Sequence, residues 1–140
     1  MSEGRGNDTD LWSKAVRALD GARSNLNTFP EITANRCYYA VFYALSALFM
    51  LEGKTFKSHG GVEQAVHRDL VHTGKWSTDL GNDYSRLFKL RLAGDYGSIH
   101  VRPEEAHEAV AGATKILRAV HEAHPDEFKL PGKEGDQDDV

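Results

Sequence analysis

A chain of 140 residues, 40% hydrophobic and 27% charged, suits one domain with a real core and is too short for two ordinary ones. That composition excludes the disordered, collagen-like and disulfide-rich classes, and a single cysteine, Cys37, excludes an intrachain disulfide and suits a reducing compartment. The net charge is −4, but Lys133 against Glu134, Asp136, Asp138 and Asp139 places three of those charges in the last ten residues, so the folded part is nearly neutral and any nucleic-acid contact must be local.

Residues 1–10 are polar, without the apolar segment of a secretory signal, and the expectation is a cytoplasmic protein with a flexible N-terminus over residues 1–7. Behind an Asn7/Asp8/Thr9 capping cluster, Leu11, Ala15, Leu19, Ala22 and Leu26 recur at helical spacing and predict a first helix from about Asp8 to Leu26. Pro30, suited to a first helical turn, opens a second helix to Leu51, closed by Gly53. Tyr38, Phe42, Leu45 and Phe49 lie on one face of it and Cys37, Val41, Ala44, Leu48 and Leu51 on another, as in a buried central helix. The stretch Cys37 to Leu51 is shorter than the roughly 20 apolar residues a membrane span needs, so no membrane contact is expected.

A basic loop, Gly53 to Gly61, leads to a short third helix around Val62 to His72, ended by Gly74. Ser77 caps a fourth helix, whose stripe of Leu80, Tyr84, Leu87 and Phe88 extends to Arg91 and Asp95 before Gly94 and Gly97 loosen it. Pro103 opens a fifth, with Ala106, Ala109, Val110, Ala113, Ile116, Leu117 and Val120 on one face. The globular unit is thus expected over 8–124, with residues 125–140 a flexible acidic tail.

Chemistry is expected where polar groups point at apolar faces. A guanidinium on a core-facing stripe must be paired, which makes Asp95 the partner of Arg91, either as a structural ion pair or as part of a site. Arg36, Tyr39 and Tyr43 fall at i, i+3 and i+7 on the second helix. His59, beside Lys57 and two glycines, could meet a phosphate together with loop N–H groups, or could anchor the loop. His121 and His124 lack the spacing of a metal site and read as surface histidines; no metal or other cofactor is expected. No Walker loop, dinucleotide fingerprint or local Ser/His/Asp signature is present.

Three blocks in order, Arg36-Cys37-Tyr38-Tyr39-Ala40, Lys57-Ser58-His59-Gly60-Gly61-Val62 and Arg91-Leu92-Ala93-Gly94-Asp95-Tyr96, resemble the UPF0332-like branch of the HEPN superfamily over about Leu11 to Ala123. The resemblance implies an all-α antiparallel four-helix bundle with an extra short helix, usually as a homodimer. It also implies a toxin-like role on RNA, as a metal-independent endoribonuclease, or a non-catalytic nucleotide- or RNA-binding module, in either case beside a minimal nucleotidyltransferase. HEPN nucleases carry a His after the Arg with four to six residues between them. Here Tyr96 stands at that interval after Arg91 and His100 comes later, while the literal Arg102 to His107 spacing puts His107 on a solvent face. The expected site is therefore Arg91 with His100 or His59 for proton transfer, and Arg36, Tyr39, Lys57, Asp95 and Tyr96 for binding. Tyr96, by resemblance to toxin pairs, could accept a nucleotide, or could simply pack in the core. A homodimer through the second and fourth helices is expected because the second has two apolar faces to bury.

Overall fold

The computed structural model describes residues 2–56, 58–96 and 100–130, and the side chains of all of these except 2–6 and 92–96. Five helices and no strand occur among the described residues: α1 (Ser2–Ser24), α2 (Pro30–Leu51), α3 (His59–Ala65) with a π-helical continuation (Val66–Val71), α4 (Thr78–Tyr96) and α5 (Pro103–Ala123). Helices α1, α2, α4 and α5 form the antiparallel bundle, with α3 and its continuation as the extra short element.

Helix α2 is central because it is apolar on nearly every side. Cys37, Tyr38, Ala40, Val41, Ala44, Leu45, Ala47, Leu48 and Phe49 are all buried, against α1, α5 and α4 in turn. Its small residues let α1 approach closely through Ala15, Ala18 and Ala22, and the buried Thr33 hydroxyl donates to the Ala22 carbonyl at 2.8 Å. Between α4 and α5, the nearly buried Asp83 lies over Gly112 and pairs with Lys115 at 2.9 Å and Arg86 at 3.2 Å. Helix α5 begins as its sequence dictates, with Pro103 in the first turn and Glu105 Oε1 accepting from the Arg102 N–H at 2.9 Å.

Three boundaries differ from expectation. Helix α1 runs from Ser2, so residues 2–7, expected as a flexible lead, have helical backbone; Asp8 and Thr9 bond one another at 3.4 Å inside the helix rather than capping it. The third helix starts at His59, not near Val62, because the Ser58 hydroxyl accepts from the Gly61 N–H at 2.9 Å and caps it. Residues 125–130, expected in the acidic tail, pack on the bundle. Phe128 is fully buried 5.3 Å from Trp12, whose indole N–H donates to the Lys129 carbonyl at 2.7 Å. The His121 Nδ1 lies 2.7 Å from the Phe128 carbonyl, which fixes its proton on that nitrogen. His124 reaches Glu52 at 3.1 Å, so neither is a mere surface histidine.

Candidate functional site

Tyr38 is the centre on which the site is built. Its position on α2 turns the ring into the gap between α3 and α4, where it is completely buried among Phe42, Tyr84 and Phe88. Its hydroxyl lies 2.7 Å from the His59 Nδ1, and the Arg91 guanidinium carbon stands 5.8 Å from its ring centroid. His59 is held from two further sides, over Phe42 at 4.3 Å and edge-on to Tyr39 at 5.9 Å. The first residue of α3 and the last described side chain of α4 thus meet on one aromatic ring. Helix periodicity carried Arg91 there, and the Ser58 cap carried His59.

The Tyr84 hydroxyl lies beside Tyr38, buried and without a hydrogen bond of good geometry to a described residue. Burial above all, with the neighbouring Tyr38 phenol, pushes its ionisation well above the usual tyrosine value, so it stays protonated. The Cys37 thiol is also pushed up by burial, to about 12, with Arg23 opposing the shift, and it is chemically inert.

Of the expected site residues, Arg91, His59, Tyr39 and Arg36 are brought together, the last with its guanidinium 5.5 Å from the Tyr39 centroid. His100 stands apart: its side chain is 94% exposed and its Nδ1 is 3.8 Å from Glu31 Oε2 at the start of α2. Lys57 lies outside the described residues, as do the side chains of Asp95 and Tyr96, so the expected Arg91–Asp95 pair does too. The backbone of Asp95 and Tyr96 completes the last turn of α4. Of the loop N–H groups that could meet a phosphate, that of Gly61 is taken by Ser58. His107 is exposed, as its place on α5 requires.

Sequence reasoning missed Tyr38 and Tyr84 as polar members of the site, treating them as core rings. The available signal was that a buried phenol needs a partner. It also missed a cluster of Glu63, His67 and Ser85, at 3.2 Å and 2.8 Å from one another through His67. Both contacts fall on Nε2, so the cluster lacks the relay across two ring nitrogens of a nucleophilic triad. Among the described residues no group of His, Cys, Asp and Glu could hold a metal ion. No described helix is long and apolar enough to cross a membrane.

With this geometry in hand, comparison with known proteins is specific. The HEPN domain family matches residues 9–123. A "UPF0332 protein" of Thermotoga maritima is 37% identical over 114 residues, covering 79% of this chain and 86% of that protein. A Methanocaldococcus jannaschii protein named "Putative toxin MJ0142" is 26% identical over 98 residues, 69% of this chain and 67% of that one. The crystal structure of TT1696 from Thermus thermophilus superposes with a TM-score of 0.70 at 22% identity, covering 83% of this chain and 98% of that chain.

Proposed function

This chain belongs to the HEPN domain family, and from that premise we propose that it is the toxin-like component of a two-component toxin–antitoxin or defence system. It acts on single-stranded RNA through a site centred on Arg91 and completed by His59, doubled at a dimer cleft. The observation that carries the reading is that a guanidinium and an imidazole from different helices converge on one buried tyrosine. The name of the Methanocaldococcus relative supports the toxin setting.

Each group has a role its chemistry permits. Arg91 holds the scissile phosphate through paired N–H donors and stabilises the charge that builds on its oxygens. His59, oriented by Tyr38, takes the proton of the ribose 2′-hydroxyl as its oxygen attacks phosphorus. The bond to the 5′-oxygen breaks, that oxygen takes a proton from solvent water, His59 returns its acquired proton to solvent, and a 2′,3′-cyclic phosphate remains. Of the two histidines expected for proton transfer, His59 is the one beside Arg91, while His100 stands in solvent 3.8 Å from Glu31. A minimal nucleotidyltransferase is the proposed partner, with Tyr96 as the residue it would modify.

The test is cleavage of single-stranded RNA by purified protein with and without EDTA. Activity should survive EDTA and fall at least about 100-fold in Arg91→Ala and in His59→Gln. The exposure of His100, and Tyr96 at the interval where a nuclease would carry histidine, favour a second reading: a non-catalytic module that binds a nucleotide or RNA. Wild-type protein that binds RNA without cutting it would select that one.

A further inference from the structure

Beside the Arg91 centre, α1 and α2 together form a further polar surface. Lys14 and Arg17, one turn apart and exposed on α1, face Arg36 and Tyr43 of α2 across a shallow cavity of about 220 Å³. No carboxylate lies among the described residues lining it, and none of the three cations has an ion-pair partner among the described residues. In a chain of net charge −4, three cations around one depression, with no ion-pair partner among the described residues, are a local exception.

The cations are interleaved with aromatic rings. The Lys14 ammonium stands 5.8 Å from the Tyr43 centroid and the Arg36 guanidinium 5.5 Å from that of Tyr39. Tyr39 and Tyr43 are half-buried, with ring centroids 6.0 Å apart. The Arg36 stem crosses α1 at Gly21, where even an added Cβ would stand 3.8 Å from its Cδ. Tyr39 also touches His59 at 5.9 Å, so the surface runs without a break into the Arg91–Tyr38–His59 centre.

We propose that Lys14, Arg17, Arg36, Tyr39 and Tyr43 form a track along which single-stranded RNA leaves the Arg91 centre, its phosphates on the three cations and its bases against the two rings. The proposal rests on RNA being the ligand of that centre. Alternating cations and ring faces suit a flexible single strand, whose bases are free to stack, better than a duplex, whose bases are not. Because every base has a stacking face, the track confers length dependence rather than sequence preference.

Anisotropy of 5′-fluorescein oligouridylates of four and twelve nucleotides tests this, with wild-type protein and Lys14→Gln/Arg17→Gln, whose side chains are exposed and leave the core untouched. Wild type should bind the longer RNA more tightly, and the double variant should lose most of that gain, by about 5-fold per removed cation at 0.1 M salt. The slope of log affinity against log salt should fall by about 0.7 for each cation removed. Tyr43→Leu should weaken the longer RNA while leaving that slope unchanged. Circular dichroism melts check that each variant is folded. RNA bound by wild type with unchanged length dependence and slope in the double variant overturns the track and leaves the Arg91 reading intact. RNA bound by none of the proteins overturns both. A change of oligomeric state in light scattering with unaltered RNA affinity makes the surface a protein contact and overturns the track.

Discussion

Tyr38 and Tyr84 are both fully buried, but among the described residues only the Tyr38 hydroxyl has a well-aligned partner, the His59 Nδ1. Removing the Tyr38 hydroxyl deprives His59 of the contact at 2.7 Å, so Tyr38→Phe should destabilise by about 1 kcal/mol. Among the described residues the Tyr84 hydroxyl has at best a poorly aligned contact with Tyr38, so Tyr84→Phe should cost less than Tyr38→Phe and stay within about 1 kcal/mol of neutral. Urea midpoints at constant slope measure both; equal losses in the two variants would mean that Tyr84 is hydrogen-bonded in solution. Cys37 gives a pH signature. Its native thiol titrates near 12, above its unfolded value near 8.5, so the native state holds the proton after the unfolded chain has lost it. Its contribution to stability is therefore complete at neutral pH and declines as pH rises from about 9 towards 12. Wild type should lose more stability over that interval than Cys37→Ala, by up to about 1.4 kcal/mol per pH unit. Parallel declines would show that the thiol is not held neutral.

At the scale of elements, the joint between the π-helical turn and α4 is set by one missing methyl group. A Cβ at Gly81 would lie 2.6 Å from the Val71 Cγ2, on a β-branched side chain with one rotatable bond. Alanine in a helix gains about 1 kcal/mol over glycine, whereas overpacking costs roughly 1–3 kcal/mol. The clash should win, and Gly81→Ala should lower the melting temperature. Gly81→Ala/Val71→Ala should recover part of that loss relative to Val71→Ala alone; no recovery would place the strain elsewhere. The π-turn itself was not legible, because Val66 to Val71 has the same apolar spacing whether five or four residues close each ring. Helices α2 and α5 were legible to the residue at their starts, since Pro30 and Pro103 leave few other positions open. Phe128 was not, because one aromatic residue in a polar stretch carries no periodicity and its partner, Trp12, lies at the other end of the chain. For the same reason Arg91 could be placed on its stripe from spacing alone, while its meeting with His59 depended on a turn that spacing does not fix.

At the scale of the whole molecule, both apolar faces of α2 find partners within one chain, so a surplus face no longer argues for a dimer. What supports one is a half-exposed edge: Phe42 of α2 and Phe88 and Arg91 of α4, side by side around Tyr38, with Phe29 and Ile32 52% and 44% exposed near the start of α2. A two-fold axis along that edge would bring two Arg91 centres into one cleft and cover apolar rings that one chain leaves partly wet. It would also leave Lys14 and Arg17 open, because they face the α1 side of α2. The dimer and the RNA track are therefore compatible rather than competing. Light scattering at micromolar concentration should give the mass of two chains, and RNA cleavage per chain should fall on dilution through the dissociation range. A monomeric protein whose cleavage per chain is independent of concentration would confine the chemistry to a single Arg91–His59 pair. The shared cleft would then have no part in the reaction.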